Sequence, residues 1–334
     1  MRKRRINIDR DYRLRPIADL LFSERELPDF ISISDFDISF LSSNYFPPVF
    51  YHAIKEKPYI VGRKQFEELR NIYNDSIANY MKIKNQHKEI KDLLGTTDFI
   101  IFKGLSLAET LYPMPYLRPQ GDIDIIVPSD RALTIIKIFE KGGYKPIRKP
   151  DVSRELSICL LPSKSGDRLV DVHFGFRRRD LLEVQYNELL QNAYETEMGL
   201  FLTKPACLVS LALHAHYHWF ILPLLNWLDI ALLISRMSKE EVKMAFEFAG
   251  RWGLSKSLAL SVSIACENWN LNIDYLPQIG GVRSIMALID VISLMKNEIL
   301  AKLAKAITFP ILMEDDMKLS YLFDRFIYYV KGGR

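Results

Sequence analysis

Cysteine is scarce in this chain, and its placement argues against a disulfide framework. The 334 residues contain three cysteines, Cys159, Cys207 and Cys266, which lie far apart in apolar surroundings. No Cys-x-x-Cys pair is present. Isolated cysteines of this kind typically serve as small core residues of proteins in a reducing compartment. They therefore predict a cytoplasmic protein.

Uninterrupted apolar runs are also lacking. The longest apolar region, residues 207–234, is interrupted by polar or helix-breaking residues, namely His214, His216, His218, Pro223, Asn226 and Asp229. This pattern favours a pair of buried helices over a transmembrane segment. The N-terminus carries charge without an apolar run behind it, so the sequence predicts no signal peptide.

A strong overall excess of charge is absent as well. The net charge is +4, and the hydrophobic share of 49% is that of an ordinary soluble globular protein. Basic residues nevertheless cluster at the N-terminus, at Arg2, Lys3, Arg4, Arg5, Arg10, Arg13 and Arg15. Such an arm either contacts the phosphates of nucleic acid or membrane lipid, or is a solvated chain terminus.

The pattern along the chain predicts three segments. Residues 1–95 are predicted to form an N-terminal segment that is partly irregular and partly helical. It ends in a long amphipathic helix at 64–94, which Gly95 closes. Residues 96–180 alternate strands and helices before consecutive strands, which predicts a small mixed β-sheet with helices on one face. Residues 181–334, which include predicted helices at 283–306 and 316–331, complete an α+β fold with a C-terminal all-helical domain.

The most informative stretch is residues 121–127, which read Gly-Asp-Ile-Asp-Ile-Ile-Val. A run of β-branched residues predicts a strand, and side chains on a strand alternate between its faces. Asp122 and Asp124 therefore point the same way, while Ile123 and Ile125 point into the opposite layer. Two like charges side by side are explained by a divalent cation between them, and carboxylate oxygens suit Mg²⁺ or Mn²⁺.

A third carboxylate lies on a second alternating stretch, residues 168–174. Asp171 and His173 share one face of this predicted strand, and Val170 and Val172 share the other. If the two strands are neighbours, three carboxylates converge on one site. Such a site can hold two metal ions roughly 3.5–4 Å apart, as in phosphoryl and nucleotidyl transfer.

The motifs resemble a known family. A Lys103-Gly104 turn follows a predicted strand, and Arg118 precedes the Gly121-Asp122-Ile123-Asp124 segment. With Asp171-Val172-His173, these motifs resemble bacterial nucleotidyltransferase family 5, a branch of the DNA polymerase β-like superfamily. The resemblance covers roughly residues 99–253 and implies an enzyme that transfers a nucleotidyl group from a nucleoside triphosphate, such as ATP, with release of pyrophosphate.

The resemblance also implies roles for individual residues. Asp122, Asp124 and Asp171 are expected to bind the metal ions, and Asp171 also helps to activate the acceptor hydroxyl. Lys103 and the backbone of Gly104 are expected to bind the triphosphate, because they lie where a helix begins. Ser106 and Arg118 are further candidates for phosphate contact. Ser106 is displaced by one position from the serine of the wider superfamily.

The resemblance extends into the helical part, through the segments 213–215 (Leu-His-Ala) and 227–231 (Trp-Leu-Asp-Ile-Ala). His214 and His218 stand one helical turn apart, and we expect them to link the helical domain to the site, with Asp229 as a hydrogen-bond partner. Aromatic residues here stack a base or, as is commoner at helical spacing, pack in a core; they are Tyr217, Trp219 and Trp227. His173 is open to two interpretations, support of the metal site or a core histidine.

Several functions fit these observations. The first hypothesis is a metal-dependent nucleotidyltransferase whose acceptor hydroxyl belongs to a sugar, a protein or an RNA. A toxin-type enzyme that modifies transfer RNA is the alternative within the superfamily. A non-catalytic nucleotide-binding or partner-binding module on the same fold is the alternative from another class, although such a module has no need of three carboxylates.

Overall fold

The computed structural model describes residues 35–58, 61–148, 150, 157–174, 176–178, 182–184, 186–218, 220, 222–269 and 271. They fall into two compact units, which separate between Cys207 and Leu208. The basic arm and the predicted helices at 283–306 and 316–331 lie outside the described residues.

The first unit combines helices with a sheet. Its helices are α1 (Asp35–Ser43), α2 (Pro47–Ile54), α3 (Arg63–Leu94), α4 (Gly104–Leu111), α5 (Ala132–Lys141) and α6 (Tyr186–Gln191). Its strands are β1 (Ile100–Ile101), β2 (Asp122–Ile126), β3 (Tyr144–Pro146), β4 (Ser157–Pro162), β5 (Leu169–His173), β6 (Phe176–Arg178), β7 (Leu182–Val184), β8 (Ala193–Thr196) and β9 (Gly199–Leu202).

Seven of these strands form one mixed sheet in the order β3-β4-β5-β2-β1-β9-β8. Strand β2 runs parallel to β5, and β1 runs parallel to β9. The other pairs in this sheet are antiparallel. Strands β6 and β7 form a separate two-stranded sheet.

Helices cover one face of the seven-stranded sheet, as the sequence predicts. Ile123 and Ile125 of β2 and Val170 and Val172 of β5 are buried in a single hydrophobic cluster. The helical side of this cluster comes mainly from α3 and α5, with Leu105 added by α4; the residues from α3 and α5 are Tyr80, Ile83, Ile90, Leu94, Ala132, Ile135, Ile136 and Phe139. Because the side chains of a strand alternate, Asp122, Asp124 and Asp171 are left for the opposite face. The α+β fold class is confirmed.

Helix α3 also holds the sheet through its polar residues. Gln86 accepts a hydrogen bond from the backbone N–H of Arg168 and donates one to its carbonyl oxygen, both at 2.8 Å. At the next residue, His87 Nε2 donates a hydrogen bond to the carbonyl oxygen of Met198 at 2.9 Å. Gln86 thus secures the chain just before β5, and His87 secures the turn between β8 and β9. The long helix belongs to the core of this unit.

A His87→Gln variant is expected to weaken the dependence of stability on pH. Burial lowers the pKa of His87 from its ordinary value of 6.5, and its Nδ1 has no hydrogen-bond partner among the described residues. The folded protein therefore resists a proton that the unfolded chain accepts, so stability falls as the pH drops below about 6.5. Between about pH 7.5 and pH 5.5, we expect the wild type to lose on the order of 1 kcal/mol more than the variant in urea unfolding. Equal losses would contradict the assignment.

The prediction of a helical pattern from residue 180 onward is wrong at strand β7 (Leu182–Val184) and again for residues 193–202. Strands β8 and β9 form an antiparallel hairpin there, and β9 pairs in parallel with β1. The turn depends on Gly199, whose φ is 133°, a value that residues with a side chain rarely adopt. The sheet therefore continues to Leu202, beyond the predicted end of the core at residue 180, because β9 finds its partner in a distant segment.

The second unit is helical within its described residues. Helix α7 (Lys204–Tyr217) crosses the division, and α8 (Leu224–Ser235), α9 (Lys239–Arg251) and α10 (Ser255–Trp269) follow. A capping box starts α9, in which Ser238 accepts from the backbone of Glu241 and the Glu241 side chain accepts from the backbone of Ser238. None of the helices among the described residues has the length and apolar character that crossing a membrane requires.

Candidate active site

Two of the predicted carboxylates face each other across neighbouring strands. Strands β2 and β5 are parallel, and their register pairs Asp124 directly with Asp171. Asp124 is buried, with 8% of its surface exposed, whereas Asp171 is half-buried. Parallel pairing of two alternating strands thus brings together two acids from distant parts of the sequence.

His173 joins the two acids. Its Nε2 lies 3.0 Å from Asp124 Oδ1 and 3.3 Å from Asp171 Oδ2. Burial favours the neutral imidazole, but the hydrogen bonds to Asp124 and Asp171 outweigh burial and raise the pKa of His173. Burial also favours the protonated form of Asp171, but the hydrogen bond from His173 holds the pKa of Asp171 below its usual range. Of the two interpretations of His173, the geometry supports the one that places it in the site.

Asp122 lies at the exposed start of β2, on the same face as Asp124. Desolvation by the surrounding protein, followed by the negative charge of Asp124, raises the pKa of Asp122 to about 6. The side chain nevertheless reaches solvent, so water screens part of this repulsion. Asp122 is therefore an acid held near like charges at the open edge of the site.

Replacing Asp122 with asparagine is expected to stabilise the metal-free protein. The substitution removes a charge that Asp124 and Asp171 repel. We expect a gain of about 1 kcal/mol at neutral pH, which is less than the full pKa shift because solvent screens Asp122. Urea unfolding in the presence of a chelator measures this gain, with the exposed Asp130→Asn as the control. A loss of stability would show that the Asp122 carboxylate supports the fold.

Lys103 occupies a strained turn between β1 and α4. Its φ of 56° and ψ of −133° lie in a region that residues with side chains rarely adopt. Its ammonium group lies 3.4 Å from Asp124 Oδ1 and 4.4 Å from the centre of the Phe102 ring. The ring of Phe102 in turn packs edge-on against His173, with 4.8 Å between the ring centres. The turn thus places the positive charge of Lys103 beside the carboxylates. Helix α4 begins at the next residue.

Gly104 and Ser106 serve this turn in different ways. A Cβ at Gly104 would lie 3.3 Å from Oε1 of Gln120, which is tighter than most such contacts. Ser106 is buried, and its hydroxyl donates to the carbonyl oxygen of Lys103 at 2.9 Å. The structure therefore assigns the Ser106 hydroxyl a contact with the backbone of the turn. Its predicted contact with phosphate stays a prediction.

Arg118 lies near the site but in a different setting. It is 7% exposed, follows a short 3₁₀ helix (Pro115–Leu117), and is close enough to act electrostatically on Asp122. It also lines a cavity beside α3. Its predicted role in phosphate binding stays a prediction.

The predicted histidines of the helical part lie in the second unit. The rings of His214 and His218 are 4.4 Å apart, as their spacing predicts. Trp227 and Asp229 are buried, which supports a core role for Trp227. The predicted link of these histidines to the catalytic residues stays a prediction, and Trp219 lies outside the described residues. No local pattern predicted the contact of His216, whose Nδ1 lies 2.7 Å from the hydroxyl of Ser257.

The grouped side chains fit a divalent cation. Asp124, Asp171 and His173 each offer one ligand atom, and these atoms lie within 4.8 Å of one another. In addition, Asp171 Oδ1 is buried without a hydrogen-bond partner among the described residues. Carboxylate oxygens with one imidazole suit Mn²⁺, and the carboxylates alone suit Mg²⁺. Asp122 is not a member of this close group, although it shares the face.

Comparison with known proteins agrees with this geometry. Residues 41–270, more than half of the chain, match the family described as an uncharacterised nucleotidyltransferase. No curated protein matches the chain. A solution structure of the antibiotic-resistance factor ANT(2'')-Ia is similar at a TM-score of 0.37 and 18% identity, over 51% of this chain and 94% of that one. At so low a TM-score, the assignment rests on the family match.

Proposed function

Because this chain belongs to the uncharacterised nucleotidyltransferase family, we propose that it transfers a nucleoside monophosphate from a nucleoside triphosphate to an acceptor hydroxyl with the aid of Mg²⁺ or Mn²⁺. One observation carries the metal dependence: the register of β2 and β5 sets Asp124 beside Asp171, with His173 against both. A binding module has no need of such a set of acids.

In this proposal, the residues of the site have different roles. Asp124 and Asp171 would hold the cation, and Asp122 would complete its ligands from the open edge. When bound there, a divalent cation supplies Lewis-acid neutralisation of the phosphate charge. The first turn of α4 offers unpaired backbone N–H groups to the triphosphate, and Lys103 adds a positive charge at the same place.

The reaction follows from this placement. The acceptor oxygen forms a bond to the α-phosphorus, and the bond between that phosphorus and the pyrophosphate oxygen breaks. Asp171, on the sheet face, accepts the proton that the acceptor hydroxyl loses. The pyrophosphate leaves with the negative charge that Lys103 helps to balance. Positioning and charge balance thus account for the catalysis.

The proposal includes a cytoplasmic location and the predicted division into an N-terminal segment (predicted as 1–95), a catalytic core (predicted as 96–180) and a helical domain (predicted as 181–334), with the end of the core moved to Leu202. The wide separation of Cys159, Cys207 and Cys266 along the sequence supports a reducing compartment. The strands up to Leu202 support moving the end of the catalytic core beyond residue 180.

Transfer of label tests the proposal. The protein is incubated with α-labelled ATP, GTP, CTP and UTP, with Mg²⁺ or Mn²⁺, and with cell extract that is then separated into small molecules, protein and RNA. We expect label in one fraction, together with an equal amount of pyrophosphate. Label on transfer RNA would identify the toxin-type activity. Nucleotide binding without pyrophosphate in all fractions would favour the non-catalytic module.

A further inference from the structure

A cavity of about 130 Å³ lies between α3 and the segment that leads into β2. Its apolar walls include Ile72, Ile83 and Pro119, and its polar groups include Asp75, Arg118 and Gln120. The cavity is therefore lined by apolar surfaces on which a ring can rest and by a small number of hydrogen-bonding groups. This composition is typical of small-molecule sites.

Gln120 is the group in this lining that needs a partner. Its Nε2 and Oε1 atoms are both buried, and neither has a hydrogen-bond partner among the residues the structure describes. A buried amide left unpaired costs about 1–3 kcal/mol, so a ligand or water is expected to complete it. The amide carries a donor and an acceptor side by side in one plane.

The same cavity adjoins the catalytic residues. The Oε1 atom of Gln120 lies 3.3 Å from the position of a Cβ at Gly104, in the turn proposed to bind phosphate. Arg118, also in the lining, acts electrostatically on Asp122. A group in the cavity would therefore contact two residues that themselves adjoin the carboxylates and the turn.

Size and charge restrict what the cavity takes. An apolar cavity of about 150 Å³ holds a benzene molecule, so the space suits a single flat ring system. The lining contains one acid, Asp75, and one base, Arg118, which favours a neutral ring over a phosphate. The planar donor and acceptor of Gln120 complement the edge of a nucleobase, as glutamine does when it pairs with adenine.

We propose that this cavity, named here the Gln120 cavity, binds the heterocyclic base of the nucleoside triphosphate, and that Gln120 selects the base through its hydrogen-bonding edge. The inference rests on the proposed function, since the phosphates of the same molecule are assigned to Lys103 and Gly104. The cavity then decides which triphosphate the enzyme uses.

Binding measurements on the full chain test this assignment. Calorimetric titrations with Mg²⁺ compare ATP, GTP, CTP, UTP and tripolyphosphate, which has no base. We expect the wild type to bind at least one nucleotide on the order of tenfold more tightly than tripolyphosphate. Two hydrogen bonds between a side chain and the edge of a base contribute a preference of about that size. Gln120→Met is expected to lose this preference and to bind tripolyphosphate unchanged. Gln120→Glu, which replaces the donor with an acceptor, is expected to change the preferred base.

The controls separate binding from folding. Gln120→Met has a similar volume and removes an unpaired buried amide, so its melting temperature is expected to equal or exceed that of the wild type. The exposed Gln191→Met is expected to retain the base preference. If Gln120→Met retains it too, or if tripolyphosphate binds the wild type as tightly as every nucleotide, the base assignment is overturned while the proposed function stands. If neither nucleotides nor tripolyphosphate bind, both proposals fail.

Discussion

Replacing Asp124 with asparagine is expected to lower nucleotidyl transfer by about 10³-fold, which corresponds to about 4 kcal/mol of lost transition-state stabilisation. Asp124 is the acid that contacts both Lys103 and His173. The substitution removes a proposed metal ligand and also leaves Lys103 without the carboxylate that it contacts. We expect pyrophosphate release and label transfer to fall together.

Asp171→Asn is expected to have a similar effect, and the double variant is expected to be no worse than either single one. If both residues act through the same cation, removing either one already abolishes the contribution of the cation to the rate. The effects of the two substitutions therefore do not add. Binding of Mn²⁺, followed by electron paramagnetic resonance, provides a second readout. It is expected to weaken in each variant and to stay unchanged in Asp130→Asn, whose side chain is exposed on the turn after β2. Full transfer by the double variant would refute the metal mechanism.

Gln86→Leu is expected to destabilise the protein by about 3 kcal/mol, because a backbone donor and a backbone acceptor of Arg168 lose their partners together. Both hydrogen bonds are 2.8 Å long, and Gln86 is 2% exposed. Arg168 precedes β5, the strand that carries Asp171. We therefore expect the variant to move Asp171 relative to Asp124 and to lower kcat more than it raises KM for the triphosphate.

A graded series separates this positioning role from general loss of stability. Gln86→Glu keeps an acceptor for the Arg168 N–H group but loses the donor to its carbonyl, so an intermediate effect is expected. Asn85→Leu is the matched control, because Asn85 is exposed on the neighbouring position of the same helix. Urea unfolding gives the stabilities, and kinetics well below the melting temperature give kcat and KM. If Gln86→Leu retains full kcat while it is destabilised, Gln86 supports the fold without positioning Asp171.

Local patterns were sufficient for the elements that flank the site. The helix predicted at 64–94 is α3, which runs from Arg63 to Leu94 and is closed by Gly95 with a φ of 58°. The alternation in residues 121–127 predicted the strand β2 and the common face of Asp122 and Asp124. Helix period, strand period and a glycine at a helix end depend on neighbours in the chain, so the sequence carries these signals directly.

Contacts between distant segments decided the rest. No local signal identified Gln86 as a partner for Arg168, or Gln120 as a lining residue beside Gly104. The strands β8 and β9 have no strong local signal either, since β9 depends on pairing with β1, a strand far away in the sequence. Each case depends on the position of a segment that propensity and periodicity do not specify.

The sequence alone determined which acids share a face, because the pleat of a strand repeats every two residues wherever the strand is placed. Only the tertiary structure decided that Asp124 lies beside Asp171 and that His173 reaches both. Register sets that meeting, and a shift of one residue would turn Asp171 toward the apolar layer. The buried faces of β2 and β5 against α3 and α5 hold this register, so packing of the core places the acids.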